Sequence, residues 1–481
     1  MKTLNFLIKH REWVMVITVL VIGRLLLSAY LPLMELTEAR YAEIARKILS
    51  LNDWTTLWFY FDKPYWGKPP LAFWSIASSF AVLGVNEFAA RFSPFIYTLA
   101  TALVIGLWTR RNVGREPSYI ASIIYLASWL VLHTAGAVLT DPLLTFTTTL
   151  VMVGFWEACA QESRRYAYLV WVALALGLLA KGPLALVLCG GACGAWVLIY
   201  NRWRSFFNNI HLISGLILML AIALPWYYLT EQKTPGFIDY FLIGEHFERY
   251  TQSEWQGDPY GVVKDRPFGT IWLYFVIATL PWSLIVLARL FSQKVRSQVM
   301  KNYSSDPLFY GYLILWIVVP ILFFTPAKNV LITYAMPSIP AFSILLAKNF
   351  DSLVTKRYFY TIAFISVVLF FVISVSVFKI SFEDHRFNQK PMLNKYLELN
   401  EKDPGDLVYT GTRIFGPQFY TEGKVYFHDT KDQDQYKFHD DTFYYAVRKR
   451  WLQGAKRSLG ARCSIEMQRT DFTLFYCPAI K

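Results

Sequence analysis

The chain has no glycine-rich nucleotide-binding motif, no internal repeat and no low-complexity tract. The first absence leaves no backbone cradle for a dinucleotide or nucleoside triphosphate. The second counts against a secondary transporter, since transporters often carry repeated halves. Histidines number only 7 and cysteines 5. They are not gathered with acidic residues at compact metal-ligand spacing, and His246 beside Glu245 or Glu248 is a weak exception. Asp, Glu, Lys and Arg together make up only 17% of 481 residues, whereas 55% are hydrophobic and 17% aromatic. Five cysteines form two groups. Cys159, Cys189 and Cys193 lie in apolar runs and read as packing residues. Cys463 and Cys477 lie in a polar tail, which allows a disulfide if that tail is outside the cytoplasm.

What is abundant is long apolar runs. They recur through the first 380 positions at about 20 residues each, enough to cross a bilayer as a helix. The chain therefore reads as an all-α polytopic membrane protein of about 11–13 helices. Crossings are expected near 12–32, 92–109, 117–133, 142–160, 166–180, 183–200, 209–230, 269–289, 308–325, 329–348 and 358–378. The run from Trp13 to Leu33 is too long for a signal-peptide core and lacks a small-x-small cleavage site. It reads as the first crossing. With residue 1 inside, the cytoplasmic segments carry "RRNVGR", "ESRR", "NRWR", "RLFSQKVR" and "TKR", a positive-inside pattern. The net charge of +13 thus reports topology and not nucleic-acid binding. This parity holds only if 69–85 does not cross, so that stretch reads as a re-entrant or interfacial helix covered by protein or a cavity.

Two long loops then fall on the outer side. Residues 33–68 hold five acids and five basic residues, and 231–268 hold seven acids against four basic residues. Beyond residue 379 the composition changes. The stretch 379–481 has 17 Lys/Arg and 14 Asp/Glu, no spanning run, and alternation in "DLVYTGTRIFGPQFYTEGKVYFHD". The domain reading is a membrane unit over 1–378 and a small soluble α/β domain over 379–481, periplasmic by parity.

Chemistry-bearing residues converge on the outer face. In "ELTEARYAEIARKIL" the spacing of Tyr41, Ile44, Ala45 and Ile48 predicts an amphipathic helix lying on the membrane. Thr37 reads as its N-cap, with Glu35 and Glu38 at its positive end. Pro69 and Pro70 fix the backbone after Lys68, which suits a lipid-linked phosphate or, equally, an interfacial anchor. Asp141 stands at the outer end of an apolar run, before Pro142, as a site residue or an N-cap. Lys181, His246, Arg249 and Lys328 sit at outer helix ends or in outer loops.

Taken in order, "TEARYAEIAR", "NDW", "KPPLAFW", "GVNEFAAR", "LTDPLLTF", "AKGP", "PWYY", "GEHFERY" and "GDPYG" resemble the GT-C glycosyltransferases. The resemblance covers roughly residues 12–345 and is nearest to the bacterial aminoarabinose:lipid A transferase and protein O-mannosyltransferase-like branch. It implies a membrane-embedded, inverting transferase that uses a polyprenyl-phosphate sugar, with its site at the periplasmic face of the bacterial inner membrane. The implied acceptor is lipid A, with protein as the alternative and transport as a remoter one. Membrane lipids are the implied surroundings and no nucleic-acid partner is expected. The resemblance carries an essential acid onto Glu38, followed by Arg40 and Tyr41, and a donor-phosphate contact onto Lys68. It carries a second acid onto Asp141, a loop histidine onto His246 and a late tyrosine onto Tyr334. Relatives commonly have Asp-Glu where this chain reads Thr37-Glu38, so Glu35 is a candidate to replace the missing carboxylate. No organic cofactor is implied, and a divalent metal ion stays open.

Overall fold

A computed structural model describes residues 11–251, 260, 265–385, 387–411, 413–428, 441–459 and 462–479. The expected cytoplasmic start 1–10 and the loop stretch 252–259 lie outside the described residues.

The membrane part is built of helices α1 (Arg11–Tyr30), α2 (Thr37–Leu51), α3 (Leu71–Leu83), α4 (Glu87–Asn112), α5 (Arg115–Leu126), α6 (Asp141–Cys159), α7 (Arg165–Lys181), α8 (Leu184–Ile199) and α9 (Leu212–Lys233). It continues through α10 (Thr270–Ala278), α11 (Trp282–Leu290), α12 (Gln293–Ser305), α13 (Pro307–Phe324), α14 (Ile339–Lys348) and α15 (Lys356–Val377). Among the described residues, five helices are long and apolar enough by themselves to cross a membrane, and one bent pair could add a sixth. The remaining expected crossings are shorter or interrupted. The run 269–289 is split into α10 and α11, bent by 108°, where Pro281 cannot donate a backbone hydrogen bond. The run 117–133 breaks after α5, and a short helix Trp129–Thr134 follows. The run 329–348 begins as a 3-10 segment, Ile332–Ser338, containing Pro337. Proline does not break every apolar run: Pro94, Pro225 and Pro320 lie inside α4, α9 and α13, which continue through them.

Helix α3 has 13 residues, about 20 Å at 1.5 Å per residue and short of a bilayer core. Its Phe73, Ile76, Ala77 and Phe80 are buried, in the same cluster as residues of α2 and α4. That geometry supports a covered, non-crossing segment.

Two expectations for α2 are corrected. Thr37 is the first helical residue and not the cap: Leu36 stands at the cap position and no side chain caps the helix. Nor does α2 lie on the membrane with one wet face. Glu43 and Lys47 are fully buried. Arg46 donates to both Glu43 oxygens at 2.7 and 2.9 Å, and Lys47 donates to the Phe59 carbonyl at 2.9 Å and to Gln418 Oε1 at 3.2 Å. The polar face is covered because the C-terminal domain sits on it.

That domain is a small α/β unit, as its composition suggests. Apart from a two-stranded sheet in the first outer loop, β1 (Trp58–Tyr60) with β2 (Lys63–Pro64), five strands, β3 (Asp406–Thr410), β4 (Tyr426–His428), β5 (Phe443–Arg448), β6 (Ser464–Gln468) and β7 (Phe472–Cys477), are ordered β4-β3-β5-β7-β6. The strands β3, β4 and β5 run parallel, and β7 runs antiparallel to β5 and β6. Apolar side chains from both faces of β3, β5 and β7 are buried under α16 (Lys390–Asn400) on one side and α18 (Leu452–Leu459) on the other. Cys463 and Cys477 form a disulfide, and Cys159, Cys189 and Cys193 are free and buried. A single turn of helix, α17 (Phe415–Tyr420), presses Phe415 and Phe419 into the cluster formed by α2, α3 and α4.

Candidate active site

Lys68 precedes two prolines, and Lys181 ends α7 just before the left-handed Gly182 (φ 71°), where an added Cβ would meet Phe241 and His246. Two ion clusters meet there. In the first, Lys68 Nζ donates to Glu245 Oε1 and to the Gly67 carbonyl. Arg249 Nη1 donates to the same Glu245 oxygen at 2.7 Å. Glu245 and Arg249 come from a π-helical stretch, Tyr240–Glu248, and the residue that follows it, a geometry frequent at functional sites. Burial raises the Glu245 carboxyl, but the charges of Lys68 and Arg249 outweigh it and hold the group below its usual range.

In the second cluster, Lys181 Nζ donates to Asp141 Oδ1 at 2.6 Å and lies 4.9 Å from the centre of the Tyr334 ring. His246 joins the two. Its Nδ1 is 2.6 Å from the Phe241 carbonyl and its Nε2 3.4 Å from the Lys181 carbonyl. Burial above all, with Lys68 nearby, pushes His246 below the usual histidine value, so a neutral imidazole is favoured near neutral pH. A cationic and aromatic wall completes the set. The Arg40 guanidinium lies 5.3 Å from the Tyr41 ring and 5.8 Å from Tyr65, donates to the Tyr260 carbonyl, and the Tyr65 and Tyr41 hydroxyls are 3.5 Å apart.

Glu38 stands apart from these contacts as a fully engaged carboxylate. It accepts from Arg91 Nε at 3.1 Å and Nη2 at 2.9 Å, from the Val138 amide at 3.1 Å and from the Met34 amide at 3.3 Å. Four bonds use the four lone-pair positions of a carboxylate. Arg91 is equally saturated, since its other donors reach the carbonyls of Ser28, Leu31 and Pro32 at 3.1, 2.5 and 2.9 Å. Burial raises the Glu38 carboxyl, but Arg91 and the two amides more than reverse this, holding it ionised below its usual range. Because Val138 precedes Asp141 by three residues, this knot fixes the turn from which Asp141 projects.

Glu35 points elsewhere. It accepts from the Gly416 amide of the C-terminal domain, and burial, opposed by amides 415–416 and Arg40, raises its carboxyl to about 7. Lys328 is exposed and joins neither ion cluster. The structure thus brings together Lys68, Arg249, Lys181, Asp141, His246, Tyr334, Arg40 and Tyr41, with Glu38 behind them, and leaves Glu35 and Lys328 aside. Sequence reasoning missed Arg91 and Tyr65 and read Glu245 only as a metal ligand. Their signal was present in "GVNEFAAR", "KPYWGK" and "GEHFER", in each case a charge or hydroxyl at the end of an apolar segment. Among the described residues no three His, Cys, Asp or Glu side chains are grouped to hold a metal ion.

Residues 13–241 match the profile of the dolichyl-phosphate-mannose-protein mannosyltransferase family. Undecaprenyl phosphate-α-4-amino-4-deoxy-L-arabinose arabinosyl transferase of Edwardsiella ictaluri is 31% identical over 321 residues, covering 64% of this chain and 54% of the relative. The Enterobacter protein of the same name is 29% identical over 325 residues, covering 66% and 55%. The chain thus spans about half the length of the curated relatives it matches. The crystal structure of ArnT from Cupriavidus metallidurans bound to undecaprenyl phosphate superposes with a TM-score of 0.76 at 17% identity, covering 96% of this chain and 97% of that one. Its apo form gives 0.75. The common fold takes in nearly the whole of this chain. This chain therefore has the GT-C membrane fold of ArnT, and over part of its length its sequence is similar to aminoarabinose transferases and to the protein-mannosyltransferase family.

Proposed function

We propose that this protein transfers a sugar from a polyprenyl phosphate to an acceptor at the outer face of a bacterial inner membrane, with inversion, and that the acceptor is lipid A. The carrying observation is the meeting of Lys68–Glu245–Arg249 with Asp141–Lys181–Tyr334 through His246. Fixed cations at the headgroup level suit a lipid-linked phosphate, whose charge grows as the sugar departs. Lys68 and Arg249 bind that phosphate, with Arg40 and Lys181 adding to the positive field. Asp141 orients the acceptor and receives its proton when the acceptor is a hydroxyl. An acceptor phosphate of lipid A is already ionised and needs no base, so Asp141 then serves positioning. Tyr41, His246 and Tyr334 line the sugar, Glu38 holds the turn before Asp141, and Lys328 lies outside the reacting centre. Residues 1–378 form the membrane unit and 379–481 a periplasmic domain. The names of the relatives and the ArnT fold support the donor class. The family match over 13–241 favours a second reading, a protein acceptor.

The test is mass spectrometry of lipid A and of glycoproteins from cells with and without the gene. A lipid A adduct that disappears with the gene is expected. Unchanged lipid A beside a lost glycoprotein selects the second reading, and no change in either rejects both.

A further inference from the structure

Arg24 stands six residues before Tyr30, the outer end of α1, about 9 Å inside it at 1.5 Å per residue, and is only 6% exposed. A guanidinium buried in a membrane bundle is costly and marks a function by default. Its bonding is sparse. Nη2 donates to the His133 carbonyl at 2.7 Å, whereas Nε is buried without an acceptor among the described residues. An apolar side chain would fill the same space without that cost, so stability alone does not account for Arg24.

What the guanidinium touches is the approach to Asp141. His133 lies in the last turn of the short helix Trp129–Thr134, where carbonyls have no partner within the helix and a cation is the favoured neighbour. Three residues on, an added Cβ at Gly136 would stand 2.2 Å from Arg24 Nε and 2.4 Å from Cζ and Nη2. The φ of Gly136 lies outside the left-handed region, so glycine is needed there for close approach to the guanidinium and not for a special backbone turn. On α15, the Phe370 ring lies 5.6 Å from Arg24 Cζ and packs edge-on against Trp129 of the same short helix at 5.3 Å. One residue before Arg24, a Cβ at Gly23 would be 2.6 Å from Phe371, so α1 and α15 are close-packed at this level. Arg24 is thus braced by α15 while it grips the turn that starts at His133.

We propose that Arg24 is a positioning residue for sugar transfer, fixing the start of the turn that presents Asp141 as Glu38 fixes its end. This deepens the function proposed above and rests on Asp141 standing at the reacting centre. Glu38 accepts from the Val138 amide, and α6 begins at Asp141. The two grips come from different helices, α1 and α2, and together they restrain residues 135–140. Asp141 meets Lys181 at 2.6 Å only where that turn puts it. Arg24 joins neither ion cluster and acts through the backbone. Loss of its grip moves the Asp141 carboxylate and leaves Lys68, Glu245 and Arg249 as they are. The rate of transfer then falls while the donor is bound as before.

The experiment compares wild type, Arg24→Met, Arg24→Lys and Gly136→Ala as purified full-length proteins in detergent. Hydrogen exchange at amides 135–141 reads the turn, and transfer from undecaprenyl phosphate-4-amino-4-deoxy-L-arabinose to lipid A reads its use. In Arg24→Met, exchange at 135–141 is expected to speed up. Its kcat should fall at least ~10-fold, the scale of a small displacement at a reacting centre, at an unchanged donor KM. The melting point should not fall, because an apolar side chain replaces a sparsely bonded buried charge. Arg24→Lys, which keeps a charged donor, should recover part of kcat. Gly136→Ala pushes the guanidinium away and should lose kcat alike, and adding Arg24→Met to it should cost nothing further. A normal kcat in Arg24→Met, or unchanged exchange at 135–141, overturns the proposal. So does a kcat loss that follows a lower melting point and that Arg24→Lys does not relieve, since that is the mark of a structural role alone. A wild type that transfers no sugar rejects the function above, whereas the exchange comparison still decides whether Arg24 holds the turn.

Discussion

Glu35 and Glu38 are three residues apart at the start of α2, and they belong to different parts of the molecule. Glu38 is tied into the membrane part by Arg91 and the Val138 amide. Glu35 is tied to the C-terminal domain through the Gly416 amide. Against burial, a guanidinium in contact holds the Glu38 carboxyl below its usual range, whereas burial, only partly opposed by two amides and Arg40, raises the Glu35 carboxyl to about 7. Neighbouring positions in a chain need not share an environment, and here the partner decides the chemistry.

The comparison is broken most severely at the reacting centre that Glu38 supports. Lys68→Ala and Asp141→Asn should each lose at least ~100-fold in transfer rate, the scale of a lost charge stabiliser or base. Assay of well-folded purified variants checks this, and near-normal rates would remove these residues from the mechanism. Next come Glu38→Gln and Arg91→Gln. Each leaves a buried charge without its partner, and a stability loss of about 3–5 kcal/mol is expected by thermal or denaturant unfolding. Because Glu38 acts through position, activity should fall without a change in the shape of the pH profile. A displaced profile would make Glu38 the base after all.

A subtler effect is expected at Glu35. Its folded carboxyl keeps its proton up to about pH 7 and its unfolded one only to about 4.5. The native state therefore binds the extra proton, and the stability it contributes is present below 4.5 and lost as pH rises to 7. Docking of the C-terminal domain, read by hydrogen exchange at residues 415–420, should loosen between pH 5 and 8. Glu35→Gln should flatten that dependence with little loss of transfer, whereas a dead Glu35→Gln enzyme would return Glu35 to the catalytic set. Smallest for activity is the Cys463–Cys477 disulfide. Its removal should cost the domain about 3 kcal/mol, seen as a lower melting point, and leave transfer nearly intact.

Apolar run lengths, the Arg-rich loops and the charge shift near residue 379 made the membrane bundle and the C-terminal domain legible before any coordinates. The residue set around Lys68 and Asp141 was legible for the same reason, since charges at helix ends stand out in an apolar chain. Pairing was not. Lys68 and Glu245 are separated by 177 positions, and Arg91 and Glu38 by 53, and nothing local announces such partners. The burial of Glu43 and Lys47 was hidden too. Period 3.6 shows which face of α2 is apolar, but cannot tell that another domain covers the polar one. The bend at Pro281 was hidden as well, because Pro94, Pro225 and Pro320 sit inside unbroken helices and no single segment reveals which proline its neighbours will carry.

The contact between α17 and α2 carries a consequence for how the protein is made. Helix α2 is complete by residue 51 of 481, but its Lys47 meets Gln418 only after 371 further residues have emerged. Until then its buried charges are still wet and the loop that bears Arg40 and Tyr41 is unsupported. The earliest part of the proposed catalytic face is thus completed only late in synthesis, and a ribosome that stops before Gln418 leaves α2 without that support.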